Sequence, residues 1–469
     1  MSGAVDVIVL GAGHNGLVAA AYLARAGVKT LVVERRPIVG GACVTEELLP
    51  GYRFSTASYV LSLLRPEIIR DLRLREHGLE ILPCRASFTP FPDGRSLLLG
   101  LGDREDARQI ARFSGRDAEA YPRFNTAIAR AADFVRPTLA MTPPRLPSPG
   151  IGDFVFLHYY LGEANGSPGS WGFVKGGMGG VAESLAAAVR SHGAAIRVGA
   201  AVERILVKDG VARGVILEGG EEIRSRIVVS NADPKRTFLR MVERSQIPAE
   251  FVRGIENLRC TGNSAKINLA LSELPDFTAL PGDGPHLRGS IQVCGAHPDY
   301  LEDAFEDYRS GRPSRRPYLD IVIPSTVDTT LAPSGHHVMS ISVKFVPYHL
   351  AEGDWKTRKE TLGDLTVETL AAYAPNVRRA ILYRQVLTPL CLEEVYGLTG
   401  GNICHGDMAL DQLFAMRPLL GWARYRTPID NLYLCGSGTH PGGGVMGAPG
   451  RNAARVILKD LRRARLRTF

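Results

Sequence analysis

Val5-Asp-Val-Ile-Val-Leu10 runs straight into Gly11-Ala-Gly13-His-Asn-Gly16, and these twelve residues decide the fold. The first six are almost continuously apolar, as in a buried strand, and Leu17 to Ala26 then reads as a helix closed by Gly27. Each glycine has its own task. Gly11 makes the tight turn, Gly13 lets backbone approach a pyrophosphate, and Gly16 lets the helix lie close to the strand. The helix start offers amide hydrogens and the positive end of its dipole to phosphates. A second strand, Lys29-Thr-Leu-Val-Val33, ends in Glu34, eighteen positions beyond Gly16, where a carboxylate accepts hydrogen bonds from ribose hydroxyls. The spacing predicts an α/β Rossmann-type domain that holds a dinucleotide.

Glu34 favours a free 2′-hydroxyl over a 2′-phosphate, an argument that Arg35 and Arg36 beside it blur. Gly40-Gly41 then supplies a second place for close backbone approach. Its position just after the acidic residue resembles the extended fingerprint of FAD proteins, so FAD rather than NAD is the expected cofactor. Cys43 follows the glycine pair, but Leu48 stands five positions later instead of a second cysteine. Cys43 is therefore expected to be a small buried side chain, and disulfide-reductase chemistry is not expected.

The rest of the composition fits a large folded protein. The chain has 469 residues, 45% of them hydrophobic, and a formal net charge of +8. Its seven cysteines contain no CxxC pair, which argues against a disulfide framework or a zinc ribbon and predicts no metal site. No run reaches the ~18 apolar residues of a membrane-spanning helix; the nearest, Phe154 to Leu161, contains His158. Met1-Ser-Gly-Ala-Val-Asp6 has no basic leader, so a cytoplasmic location is expected. Lys459, Arg462, Arg463, Arg465 and Arg467 crowd the last helix. They read as a solvated face, with peripheral contact to an anionic membrane as the alternative and no nucleic-acid partner expected.

Between the ends, Arg104–Phe113 and Tyr121–Val135 read as helices. Pro137, Pro143, Pro144, Pro147 and Pro149 then read as an extended linker. A glycine cluster, Trp171-Gly-Phe-Val-Lys-Gly-Gly-Met-Gly-Gly180, leads into the Ala-rich helix Val181–Arg190. Lys208-Asp-Gly210 sits between Val202–Val207 and Val211–Leu217, which predicts a hairpin, followed by a strand at Ile227–Ser230. Residues 260–395 alternate strands (Ala265–Leu271, Leu319–Pro324, His337–Phe345) with helices such as Lys356–Tyr373. They carry no second dinucleotide fingerprint, so the substrate itself is expected to be the hydride donor.

Asn431-Leu-Tyr-Leu-Cys-Gly436 is a strand ending in glycine, and Ser437-Gly-Thr-His-Pro-Gly-Gly-Gly-Val-Met-Gly-Ala448 opens into the helical run Gly450–Arg463. This turn, the N-terminal glycine motif with Glu34 and Gly40-Gly41, Gly176-Gly-Met-Gly179 and Ser230-Asn-Ala-Asp-Pro234 together resemble the phytoene desaturase and carotenoid isomerase type of flavoprotein, within the wider amine-oxidase-like group. Gly401-Asn-Ile-Cys-His-Gly-Asp-Met408 and Asp411-Gln-Leu-Phe-x-Met-Arg-Pro418 resemble its pyridine nucleotide-disulphide oxidoreductase domain 2 branch. The resemblance covers essentially the whole chain, which departs from the family by being short before Trp171. It implies a glutathione-reductase-type FAD-binding domain built from residues 1–60, 172–259 and 396–469. An interleaved α+β substrate domain would take residues 61–171 and 260–395. It further implies that Gly11, Gly13, Gly16 and Glu34 hold the ADP half, with Arg35, Gly40 and Gly41 beside it. Val202 would touch the adenine side through its backbone, and Gly436, Val445 and Met446 would line the flavin end.

Desaturation of a saturated carbon pair next to a polyene sends a hydride from one carbon to flavin N5 and a proton from its neighbour to a nearby base. His440, in the glycine-rich turn, is the first candidate base; His405 and Asp407 form a second set. Arg417 and Arg424 are expected to be structural. The substrate is expected to be a hydrophobic small molecule facing an apolar wall, with oxygen or a quinone as electron acceptor. Two other readings stay open. One is an amine oxidase with Lys266 or Lys344 holding a water; the other is a flavin-bound protein without catalysis.

Overall fold

The computed structural model describes residues 5–143, 161–164 and 167–466. Most of the Phe154–Leu161 run, Pro144, Pro147, Pro149 and Arg467 lie outside the described residues. Among the described residues no helix is long and apolar enough to cross a membrane.

Two seven-stranded sheets organise the chain. In the first, Val5–Leu10 lies between Thr30–Val33 and Glu222–Ser230, all parallel, with Ala195–Arg197 beyond Thr30–Val33. Alternate side chains of the first strand enter opposite cores. Val7 and Val9 pack with Leu17, Val18 and Leu185, while Ile8 and Leu10 pack with Ile205, Val215 and Phe238. A strand apolar on both faces is what a parallel sheet covered on both sides requires. Glu222–Ser230 changes partners along its length. Its start pairs antiparallel with Val211–Leu217, and its end lies parallel to Val5–Leu10 and Leu432–Leu434. The hairpin forms where expected, with Asp209 and Gly210 both at positive φ (53° and 73°), as a type I′ turn needs.

The second sheet runs in the order Ile381–Leu387, Ser264–Leu271, His337–Lys344, Leu319–Val322, Ser290–Val293, Ser87–Pro90 and Ser96–Leu99. Ile267, Ile341, Ile321 and Ile291 form a row on one face and pack with Leu362 and Leu370 of the helix Trp355–Ala371. The opposite face carries Lys266, Ser342, Asp320 and Gln292 in register, a polar row where an apolar one would bury more cheaply.

The chain crosses between the two halves around residue 60. Tyr52 and Phe54 pack with Ala270, Leu331 and Val338 of the second half, whereas Leu61, Leu64, Ile68 and Ile81 join the core of the first. The expected extended linker is corrected at its start. Pro137 sits in the first turn of a 3₁₀ helix, Arg136–Ala140, continuous with the helix Gly115–Val135, because a helix start needs neither the missing amide hydrogen nor a different φ.

The helix Ala448–Leu466 lies across the helix His14–Arg25. A Cβ on Gly450 would stand 2.1 Å from the carbonyl oxygen of Asn15, so only glycine permits this crossing. Gly450→Ala should therefore destabilise the protein by about 1–3 kcal/mol through overpacking. Gly115→Ala, whose added Cβ meets nothing within 4 Å, should change stability by less than about 1 kcal/mol. Urea unfolding of the two variants beside the parent checks this.

Candidate active site

Three chain segments meet at the end of the first strand. A Cβ on Gly16 would lie 2.2 Å from the carbonyl oxygen of Gly11, one on Gly13 would lie 2.8 Å from Asn231 Nδ2, and one on Gly436 would lie 2.6 Å from the carbonyl oxygen of Asn231. Gly40 donates its backbone N–H to the carbonyl of Ala12 at 2.9 Å, and a Cβ on Gly41 would touch Gly13 Cα at 3.4 Å. Both glycine motifs therefore form one backbone-lined cradle. Glu34 is buried at its rim. Oε2 accepts from the Ala12 N–H at 2.8 Å and Oε1 from the Arg36 N–H at 2.9 Å, which fixes the carboxylate at the end of its strand. Ala200 donates to the carbonyl of Glu34 at 2.8 Å, placing the strand that begins at Val202 alongside it. Arg35 instead turns its guanidinium to the carbonyls of Glu394 and Val395, at the end of the helix Pro389–Tyr396.

The C-terminal turn closes the other end. Asn15 Nδ2 donates to Ser437 Oγ at 3.2 Å, and the Met446 carbonyl accepts from the Arg65 N–H at 3.1 Å. Met446 is fully buried and Val445 half-buried. The glycines of this turn are covered by the loop 402–408: a Cβ on Gly443 would meet Cys404 Sγ at 2.4 Å, and one on Gly442 would meet Met408 Sδ at 2.6 Å. Arg417 ties loop to turn. Its buried guanidinium donates to the carbonyls of Cys404, Gly406, Asp407, Gln412 and Ser437 at 2.6–3.3 Å, a structural role as expected.

His440 is buried within the turn. Its Nε2 donates to the Thr138 carbonyl at 2.8 Å, and its ring lies 5.5 Å from that of Phe414. Nδ1 has no hydrogen-bond partner among the described residues, and burial pushes the imidazole pKa down to about 4. His405 stands at φ 59° with its own Nδ1 unpartnered, and burial lowers its pKa too. Asp407 is engaged elsewhere, accepting at 2.8 Å from the Thr261 N–H and from Asn402 Nδ2. The structure thus separates Asp407 from the histidines in role: its carboxylate holds the loop.

His14, between Gly13 and Gly16, joins this group unforeseen. Nε2 donates to the Gly444 carbonyl at 3.1 Å, and burial, reinforced by His405, lowers its pKa to about 4. Cys43 is buried beneath the cradle with its thiol directed to the Met178 carbonyl at 3.2 Å and pushed by burial up to about 12. Met446 packs with Leu63 and Ala448, and Met408 against the cluster of Leu139 and Leu413, whereas the second sheet presents a polar face. There Lys266 is buried with its Nζ 3.9 Å from the centre of the Tyr59 ring, and Tyr59 and Ser290 donate to Asp320. The sequence singles out Lys266, but its company of Tyr59, Ser290 and Asp320 appears only once the strand register brings them together.

The cradle fits a dinucleotide: glycine backbone lines much of it, and the buried Glu34 carboxylate stands at its rim. A model of flavin containing amine oxidoreductases matches residues 152–458, and one of NAD(P)-binding Rossmann-like domains matches residues 9–72. The chain belongs to the flavin containing amine oxidoreductase family. It is an FAD-dependent oxidoreductase. It is 41% identical to the rat (Rattus norvegicus) pyridine nucleotide-disulfide oxidoreductase domain-containing protein 2, over 97% of this chain and 94% of the relative. A limonene dehydrogenase component of Castellaniella defragrans is 28% identical, over 97% and 95% of the two chains. A phytoene desaturase (neurosporene-forming) of Cereibacter sphaeroides is 24% identical, over 99% and 96%. The rat alignment spans 547 positions against 469 residues here, so that relative carries segments this chain lacks.

Glu34→Gln keeps size but loses the charge that the Ala12 and Arg36 amides hold in place. FAD affinity is expected to fall about 10- to 100-fold with little change in the unfolding midpoint. Flavin-to-protein ratio after dialysis against graded FAD measures it.

Proposed function

We propose that this oxidoreductase dehydrogenates a hydrophobic, polyunsaturated small molecule, with oxygen or a quinone as electron acceptor, or isomerises it with no net transfer of electrons. The observation that carries the reading is His440, a neutral imidazole fixed in the glycine-rich turn with a bare Nδ1. Bound FAD supplies a hydride acceptor at N5. The chain's own part is to orient the substrate, keep water out and take one proton. With Nε2 committed to the Thr138 carbonyl, His440 Nδ1 is the lone pair left for that proton. Met408, Val445 and Met446 give the turn an apolar lining. The names limonene dehydrogenase and phytoene desaturase among the relatives support an unsaturated, hydrophobic substrate.

In this reading residues 1–60, 172–259 and 396–469 hold the cofactor, and residues 61–171 and 260–395 hold the substrate. Gly11, Gly13, Gly16, Glu34, Gly40, Gly41, Val202, Gly436, Val445 and Met446 face FAD. Arg35 fixes a helix end beside the nucleotide. His405 assists from the covering loop through its unpartnered Nδ1, and Asp407 positions that loop. Lys459, Arg462 and Arg463, all exposed, are the groups that meet an anionic membrane from which such a substrate is drawn.

A second reading, amine oxidation, is favoured by Lys266. Its buried amine has a pKa well below the ordinary value, through burial and the nearby Lys344, and so is able to hold a water.

Anaerobic addition of a polyene, an amine or NADPH to the purified holoprotein separates the two. Bleaching of the flavin band by the polyene alone is expected; bleaching by the amine alone overturns the first reading. His440→Gln should lower the rate of that bleaching about 10²- to 10⁴-fold with FAD retained. Because the folded pKa lies near 4, the base is unprotonated above about pH 5, so the rate should be flat from there to pH 8 and fall at lower pH.

A further inference from the structure

We infer that the substrate ends in a carboxylate, which Lys266 and Lys344 hold on the polar face of the second sheet. Lys266 is 3% exposed, and its Nζ has no hydrogen-bond partner among the described residues. An ammonium carries three donors, and the Tyr59 ring, 3.9 Å away, meets it from one side only. Such a group stays buried at a cost unless an acceptor reaches it. Asp320 is the nearby carboxylate, but its Oδ2 already accepts from Tyr59 and its Oδ1 from Ser290 at 3.1 Å.

Lys344 brings a second positive charge to the same face. Lys266 pairs with Ser342, two residues before Lys344, so the two lysines are diagonal neighbours on adjacent strands. Lys344 Nζ donates to Ser342 Oγ at 2.9 Å, which leaves two of its donors. Burial lowers the pKa of both lysines, and a carboxylate placed against them would favour their charged forms, which an amine would not.

The place is also suitable. Lys344 lies within electrostatic reach of Cys404, whose Sγ sits where Gly443 has room for no Cβ. A hydrophobic body running past Met408 would leave its charged end between the lysines. Only that hydrophobic body rests on the dehydrogenase reading.

Calorimetric titration of the holoenzyme with octanoate, octanol, octylamine and octyl phosphate tests the assignment without turnover. Octanoate is expected to bind at least about tenfold tighter than octanol or octylamine, and Lys266→Met and Lys344→Met each to weaken octanoate about tenfold while leaving octanol unchanged. Lys344 is half-buried, so its variant carries the test if Lys266→Met does not fold by thermal unfolding. Equal binding of octanoate and octanol, or wild-type octanoate binding in a folded Met variant, overturns the proposal. Tighter binding of octyl phosphate overturns the carboxylate. A flavin that no polyene reduces removes the dehydrogenase reading and leaves these titrations standing.

Discussion

Glycine backbone pressed against Asn231 is the constraint on which the rest depends. Its carbonyl lies where Gly436 has no side chain, and its amide Nδ2 lies where Gly13 has none. The three segments converge because Glu222–Ser230 serves as the parallel neighbour of both Val5–Leu10 and Leu432–Leu434. Widening any one contact by a methyl group would displace a strand end rather than a side chain. The cradle's shape is therefore a property of the sheet, and the side chains around it adjust to it.

That is also why so much was legible in the sequence. A position that must be glycine stays readable whatever surrounds it, and the glycine turns at Gly11–Gly16 and Gly436–Gly447 each stand between an apolar strand and a helix, with Gly40-Gly41 a few residues beyond the next strand. The hairpin was readable from Asp209-Gly210 because its turn demands positive φ at both residues. The polar face of the second sheet was not. Lys266 and Asp320 are separated by more than fifty residues and become neighbours through the register of three strands, which no local pattern encodes. Arg35 was misleading for a similar reason: beside Glu34 in sequence, it finds its acceptors near residue 394. Pro137 showed that prolines in a cluster need not act alike, since the first turn of a helix accepts one.

The buried cations divide by how they are satisfied. Arg417 gives its planar fork to carbonyl oxygens at good distances, and a charge so surrounded organises loops at modest cost. Lys266 has the face of one ring and a carboxylate already shared. The contrast separates a cation that completes the fold from one that the fold leaves incomplete.

The crossing of the helix Ala448–Leu466 over His14–Arg25 has a bearing on how the protein is made. The second residue of the nucleotide helix, Asn15, touches Gly450, and the strand that completes the parallel row begins at Leu432. On the ribosome, the amino-terminal motif emerges long before its partners do. The strand Val5–Leu10 gains both sheet neighbours by residue 230, but the helix His14–Arg25 must wait through synthesis of most of the second sheet for the helix Ala448–Leu466 to cover it.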